Sequence, residues 1–409
     1  MPSPVLKFIH ASDFHLERQI HGISEIPRHL RDALVDAPYR AVEGVFAAAL
    51  VEEVEFVVLS GDILAVDEMG PRSLLFLVEQ FERLADRGIP VYWAVGRIDP
   101  PARWQLASLL PENIHRFTGS TRQFLHRRDN AASVRLLGST DSGRSMVRAV
   151  DYQRPDDDLF TIALGYGACD PVALSQTGVD YWALGGQHQR QCVQRTPSIH
   201  YPGTPQGRCP RESGPHGCTL VEVNAEGDIS TSPLVTDAIR WQSEEVPVDS
   251  STTLSTLEQS LADHLQRHNV NAGSRQLLLS WQVIGSGPLI EILQSEAKAE
   301  ELLAKLRGTA DSKPAGAWSL SLEAGTAMSY SDAWYEEESM LGEFLRNVRD
   351  LQADTSQPLE VEPQLPAGEL ADRVAGMVTF SGPEDRARTL RQAADLGVRM
   401  LSGDDSGEP

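Results

Sequence analysis

The sequence predicts an α/β fold: a layered α/β/β/α sandwich with a small α+β capping domain and a helical C-terminal tail. Three observations predict it. Over residues 5–95, buried-strand signals alternate with amphipathic helical stretches in a β-α-β-α-β order, which implies parallel neighbours joined by right-handed crossovers. Beyond residue 113 short strands dominate, which calls for a second sheet facing the first. Beyond residue 240 helices and strands alternate again in a shorter, acid-rich stretch.

Taken in order, residues 5–9 read as a buried strand. Residues 39–51 place Val42, Val45, Phe46, Ala49 and Leu50 at helical spacing. Residues 56–59 are a second strand. Residues 73–85 form a helix with Leu74, Leu77, Val78, Phe81 and Leu84 on one face, stopped by Gly88. Residues 89–95 are a third strand, with Pro90 near its start. Short strands follow at 114–117, 123–126, 133–137, 160–164, 181–184, 198–201 and 218–223, with one helix near 171–177. Then come a helix at 254–268, a strand at 276–283, a helix at 288–306 and a strand at 318–322. A helix at 335–352 carries Leu341, Phe344, Leu345 and Val348, and an amphipathic helix is expected at 384–400. Residues 357–366 read as a linker and 402–409 as a disordered tail. The implied domains are 1–240, 241–330 and 331–409, the last a candidate partner-binding segment.

Composition narrows the function. A hydrophobic share of 41% is ordinary for a globular chain. No apolar run of about 18 residues exists, and the first residues lack a signal-peptide pattern, so a cytoplasmic location is expected. Cys169, Cys192, Cys209 and Cys218 form no C-x-x-C pair and read as reduced thiols rather than a zinc site. A net charge of −22 argues against wrapping nucleic acid unaided. Residues 241–409 hold 13 basic and 28 acidic residues, which suits a protein partner or plain solubility. Residues 101–150 hold 8 arginines and 3 acids; the stretch from Arg116 to Arg148 is either a local anion surface or solvated loops and edge strands.

Metal-type ligands sit just past four strand ends, where ligands bind in open α/β sheets. They are Asp13 and His15, Asp62 after Gly61, the block Gly96-Arg97-Ile98-Asp99-Pro100, and His188 after Gly185-Gly186-Gln187. On an extended strand end, residues two apart point to one side. A carboxylate with an imidazole suits manganese, iron or zinc better than calcium. Asp62, following a glycine, can approach two ions closely. Asp13, His15, Asp62 and His188 would make one four-ligand set.

This set resembles the calcineurin-like metallophosphoesterases, whose blocks are D-x-H, G-D, G-N-H-D, a lone His and G-H-x-H. Phe8-Ile9-His10-Ala11-Ser12-Asp13-Phe14-His15-Leu16 is similar to the opening of the SbcD-like DNA-repair exonucleases. So are Asp180-Tyr181-Trp182-Ala183-Leu184-Gly185, Tyr201-Pro202-Gly203-Thr204-Pro205-Gln206-Gly207-Arg208 and Arg211-Glu212-Ser213-Gly214-Pro215-His216-Gly217-Cys218. The resemblance covers residues 5–240 closely and 240–350 in general architecture. It implies a metal-dependent DNA phosphodiesterase that forms a homodimer. It also implies an SbcC-like coiled-coil ATPase partner, bound through a C-terminal helical segment, with DNA held jointly.

Four positions depart from the family pattern. Arg97 stands where the metal-binding Asn belongs, and Ile98 where the catalytic His belongs. Tyr166 falls at the lone His, and Gly186 at the first His of G-H-x-H. The resemblance then implies an intact first-metal set and a lost second site, so one divalent ion per chain, manganese or else iron or zinc. Two-metal hydrolysis clamps the phosphoryl oxygens between ions, and Ile98 can donate no proton, so weak or absent turnover is expected. Arg97 could replace the second ion by pairing with Asp62 and binding phosphate, or could point to solvent. Tyr166 is a candidate ligand or a packing residue; Cys169 and Asp170 could rescue a site. His10 reads as a core residue or a support behind the ligands, and His200 faces either the pocket or the surface. The alternatives to a nuclease subunit are a non-catalytic scaffold or regulator, and a small-molecule phosphoesterase.

Overall fold

The computed structural model describes residues 6–23, 26–65, 70–99, 109–117, 122–128, 130–139, 146–309, 316–326, 334–335, 337, 339–353 and 383–402. The expected linker at 357–366 and the tail beyond 402 lie outside the described residues. The chain divides into two compact units. One comprises Met1–Ser243, His264–Ser280 and Thr309–Leu320, the other Glu244–Asp263, Trp281–Gly308 and Ser321–Pro409.

The first unit holds two six-stranded sheets. The first sheet is built from β1 (Leu6–Ser12), β2 (Phe56–Gly61), β3 (Val91–Val95) and β4 (Ile114–Phe117). The second contains β5 (Arg122–Arg128), β6 (Ala131–Gly138), β7 (Phe160–Tyr166), β8 (Tyr181–Gly185), β9 (Gln191–Gln194) and β10 (Ser198–Tyr201), and β11 (Gly217–Val223) and β12 (Ile229–Val235) return to the first. The orders are β12-β11-β1-β2-β3-β4 and β5-β6-β7-β8-β10-β9. β1 to β4 run parallel, as do β6, β7, β8 and β10, with antiparallel strands only at the margins.

Strand alternation explains the layers. Phe8, Phe56, Val58, Tyr92 and Ala94 point inward from the first sheet and meet Val134, Leu136, Ile162, Leu164, Tyr181 and Ala183 of the second. Ile9, Ala11, Val57, Leu59, Val91 and Trp93 point outward and pack on α1 (Arg31–Val51) and α2 (Pro71–Ala85). On the far side Leu137, Ala163, Trp182, Leu184 and Ile199 meet Val147, Tyr152 and Leu174, the last from α3 (Pro171–Ser175). The expected layered sandwich is present.

Three local differences have physical causes. α1 starts at Arg31 rather than at residue 39, because Pro38, which would normally end a helix, lies inside it and is buried. β9 and β12 carry only exposed or half-exposed residues, polar and apolar mixed, and β12 contains Pro233, which an edge strand tolerates. The single helix expected at 288–306 is two, α5 (Pro288–Leu293) and α6 (Glu296–Thr309), because the Ser295 carbonyl accepts from the amides of Lys298 and Ala299 to start the second.

The remaining elements are β13 (Ile239–Val248), α4 (Leu254–Asn271), β14 (Gln276–Gly285) and β15 (Gly316–Thr326), with a three-stranded sheet in the order β13-β14-β15. In the second unit, α7 (Met340–Ala353) and α8 (Pro383–Ser402) pack together through Phe344, Val348, Leu351, Leu390 and Ala394. Among the described residues no helix is long and apolar enough to cross a membrane.

Candidate metal centre

Parallel strands bring their C-terminal turns together, and the candidate residues gather there. β1 and β2 are in register from Phe8 with Phe56 to Ser12 with Ser60, so the next residues, Asp13 and Gly61, emerge side by side. β7 and β8 end in register at Tyr166 and Gly185, which delivers Tyr166 and Gly186 from the second sheet.

Asp13 and His15 have φ of 53° and 46°, a left-handed conformation that costs a non-glycine residue energy and concentrates at functional turns. Asp13 Oδ2 accepts from Ser12 Oγ at 2.7 Å and the Gly186 amide at 2.8 Å. Burial pushes the Asp13 carboxyl up to about 6, against the opposing pull of His188 and of these donors. The His15 amide donates to Asp62 O at 3.2 Å, tying the two turns. The His15 ring is 2% exposed, and neither Nδ1 nor Nε2 has a hydrogen-bond partner among the described residues. Burial, then the Arg208 charge, hold it neutral, well below the usual imidazole range. A buried imidazole with two unused nitrogens is costly unless something binds it. Asp13, His15 and Asp62 offer ligand atoms all within 4.8 Å of one another. These residues therefore fit a divalent ion of borderline hardness, as their mixed oxygen and nitrogen donors require.

Asp62 is differently placed. Its Oδ1 accepts from the amides of Arg97 at 2.6 Å and Ile98 at 3.0 Å, and its Oδ2 from Tyr166 Oη at 2.8 Å. Gly96 permits this approach: a Cβ there would lie 2.1 Å from Asp62 Oδ1. Asp99 holds the same loop by accepting from the amides of Ile63 at 2.9 Å and Gly96 at 2.8 Å; burial pushes its carboxyl up to about 8.

The other sequence candidates fall as follows. Arg97 meets Asp62 through its main-chain amide; its side chain is exposed and forms no ion pair with Asp62 among the described residues. Ile98 is half-buried beside it. His188 stands with its ring 5.2 Å from that of His15, and its Nδ1 lies 2.7 Å from Glu212 Oε1. Gly186 has φ 97°, and a Cβ there would meet Gly167 N at 3.1 Å and the Tyr166 ring at 3.4 Å. His200 is fully buried between the sheets, with Nε2 2.8 Å from Thr219 Oγ1 and its ring 5.9 Å from that of His10. His10 bridges Ser60 Oγ at 2.9 Å and Tyr181 Oη at 3.0 Å. Cys169 is half-buried near Tyr201, and Asp170 caps α3.

Sequence reasoning assigned no role to Arg208 and Glu212. Arg208 Nη2 lies 3.1 and 3.4 Å from the two ring nitrogens of His188, and the Arg208 amide donates to Glu212 Oε2 at 2.7 Å. Burial raises the Glu212 carboxyl, but the His188 hydrogen bond and the Arg208 charge override this and hold it at about 2. The available signal was the polar block after Tyr201, which has no hydrophobic period yet is buried at Thr204, Gln206 and Arg208.

One sequence relative gives the family. The chain is 32% identical over 282 residues, 63% of its length and 67% of the relative's, to YhaO of Bacillus subtilis, an uncharacterized metallophosphoesterase. The chain belongs to the metallophosphoesterases. No family model matches this member. Among solved structures, GAP50, the anchor in the inner membrane complex of Plasmodium, aligns over 56% of this chain and 84% of its own at 11% identity. Its TM-score to this chain is 0.34.

Proposed function

We propose that this metallophosphoesterase hydrolyses phosphodiesters with a single divalent ion, manganese or else iron or zinc, held by Asp13, His15, Asp62 and His188. The observation that carries the reading is the buried trio of Asp13, His15 and Asp62 with both His15 nitrogens unspent. When bound, the ion supplies a Lewis acid for a phosphoryl oxygen and lowers the pKa of a water. The chain supplies orientation. Ser12 and Gly186 fix the Asp13 carboxylate, and Arg97, Ile98 and Tyr166 fix that of Asp62. Glu212, by accepting from His188 Nδ1, leaves Nε2 as that residue's donor toward the site. The side chain at Ile98 offers a leaving group no proton, which slows turnover by about 10²–10⁴-fold.

The substrate in this reading is DNA, the chain acting as an SbcD-like subunit beside an SbcC-like coiled-coil ATPase, with a second copy in the assembly. The net charge of −22 supports DNA being held jointly with that partner. A non-catalytic scaffold is the second reading, and the hydrogen bonds that already occupy Asp62 favour it. The test is metal content by mass spectrometry together with a manganese-dependent nuclease assay, with Asp62→Ala as control. One ion per chain and slow activity abolished by Asp62→Ala are expected. Two ions per chain would overturn the single-ion reading. One ion without turnover selects the scaffold.

A further inference from the structure

The turn between β10 and β11 is polar in sequence but built like a core. Gln206 Oε1 accepts from the amides of Ala238 at 3.0 Å and Ile239 at 3.1 Å, and its Nε2 donates to Ile239 O at 2.6 Å. Trp241 Nε1 donates to Gly207 O at 3.0 Å, and the His21 amide to Arg208 O at 2.8 Å. These bonds hold the Arg208 main chain from both sides, and its side chain is brought inward to 5% exposure.

The guanidinium does not spend its donors there. Nη2 sits at comparable distances, 3.1 and 3.4 Å, from both nitrogens of the His188 ring. A donor placed that way lies over the ring rather than in its plane, so the contact is a stack more than a hydrogen bond. His188 Nδ1 already faces Glu212 at 2.7 Å, and Nη2 reaches Glu212 only at 3.5 Å. Arg208 Nε is buried with no partner among the described residues. The cation is paired with Glu212 at 3.5 Å, but a buried donor left unspent, as Nε is among the described residues, is costly. The guanidinium stands against His188, with its charge felt at His15. An arginine fork in that setting matches two oxygens of a phosphoryl group.

We propose that Arg208 is the phosphoryl-binding cation of this site, supplying positive charge to the substrate's oxygens beside the ion that His15 and His188 would hold. The proposal rests on the phosphoesterase reading for its substrate class. It differs from a role for Arg97, whose side chain is exposed.

Wild type, Arg208→Gln, Arg208→Lys and Arg97→Gln are each loaded with manganese. Metal content is measured by mass spectrometry, inorganic phosphate affinity by calorimetry, and folding by near-ultraviolet circular dichroism. Arg208→Gln is expected to keep its metal and fold while binding phosphate about 10- to 100-fold more weakly. Arg208→Lys regains part of the loss, since it restores charge without the fork, and Arg97→Gln costs less than Arg208→Gln. Phosphate affinity within about twofold of wild type in Arg208→Gln overturns the proposal. So does a larger loss in Arg97→Gln, or loss of metal in Arg208→Gln, which would make Arg208 a support for His188. Should wild type take up no manganese, the phosphoesterase reading fails separately. The phosphate titration of the metal-free proteins then still decides on Arg208, because a guanidinium binds phosphate without an ion.

Discussion

The turns that close the first sheet and those that close the second meet at one site, yet they are in opposite states of completion. At the ends of β1 and β2, His15 is buried with both ring nitrogens unpartnered among the described residues, beside two buried carboxylates. At the ends of β7 and β8, Tyr166 already donates to Asp62, and the Tyr166 ring lies against Gly186. Asp62 joins the two halves, and its hydrogen bonds come from Arg97, Ile98 and Tyr166, the positions where the family pattern departs. Unspent donors mark where a ligand completes the structure; spent ones mark where hydrogen bonds have taken its place.

The largest test of this contrast separates binding from stability at one occupied residue, Asp62, and one open residue, His15. Asp62→Ala should abolish metal uptake and also destabilise the metal-free protein by about 2–4 kcal/mol, because the amides of Arg97 and Ile98 and the Tyr166 hydroxyl lose their acceptor. His15→Leu should abolish metal uptake without destabilising the metal-free protein, because the imidazole nitrogens have no partners to lose. Denaturant unfolding with and without chelator measures both. A metal-free His15→Leu less stable than wild type by more than about 1 kcal/mol would show that His15 is a structural residue.

A second prediction concerns the interior beneath both halves. His10 and His200 are buried between the sheets, and burial lowers both, His10 well below 6.5 and His200 to about 3. Their folded values lie below the unfolded one, so the neutral ring's contribution is fully present above pH 6.5. It is lost as pH falls, over the range from 6.5 toward 3 for His200. By pH 5 the loss from His200 should be about 2 kcal/mol, with a loss of the same sign from His10. Unfolding free energies at pH 7.5 and 5.0 check this, and His200→Gln should flatten part of the slope. Asp13 and Asp99, which burial raises to about 6 and about 8, gain stability over the same fall in pH, so the decisive comparison is with the variant: an equal pH dependence in wild type and His200→Gln would contradict the burial of that ring.

What the sequence made legible follows from the same contrast. β1, β2, β3, β7 and β8 are largely apolar runs, so their ends, and with them Asp13, His15, Asp62 and Tyr166, could be placed from the sequence. The start of α1 was hidden by Pro38, and β12 by its exposed polar residues. Arg208 and Glu212 were hidden for another reason. Their burial depends on hydrogen bonds that tie Gln206 to Ile239, Gly207 to Trp241 and Arg208 to His21, partners distant in sequence that no local period announces.

Gly186→Ala tests whether the second-sheet side is sterically closed. A Cβ at φ 97° is strained and meets Gly167 N at 3.1 Å, so a loss of about 1–3 kcal/mol is expected. Adding Gly186→His to Tyr166→His and Arg97→Asn should then fail to raise metal content above one ion per chain. Two ions in that triple variant would mean that the side-chain changes alone closed the site and that the turn still accommodates a histidine.

Tyr166→Phe is the smallest change and separates hydroxyl from ring. The phenol stays protonated, since burial and the nearby Asp62 carboxylate raise it well above its ordinary range, and it donates to Asp62 Oδ2 at 2.8 Å. Removing the hydroxyl takes away one hydrogen bond to a carboxylate at a half-buried position, a cost of about 1 kcal/mol to the metal-free protein. It also leaves Asp62 Oδ2 a stronger donor toward an ion, so manganese should bind about threefold to tenfold more tightly. The ring stays in place against Gly186, so the stoichiometry should remain at one. Calorimetric titration reads affinity and stoichiometry together. Tighter binding with one ion locates the competition at the hydroxyl, whereas weaker binding would mean that Tyr166 helps position Asp62 for the ion rather than competing with it.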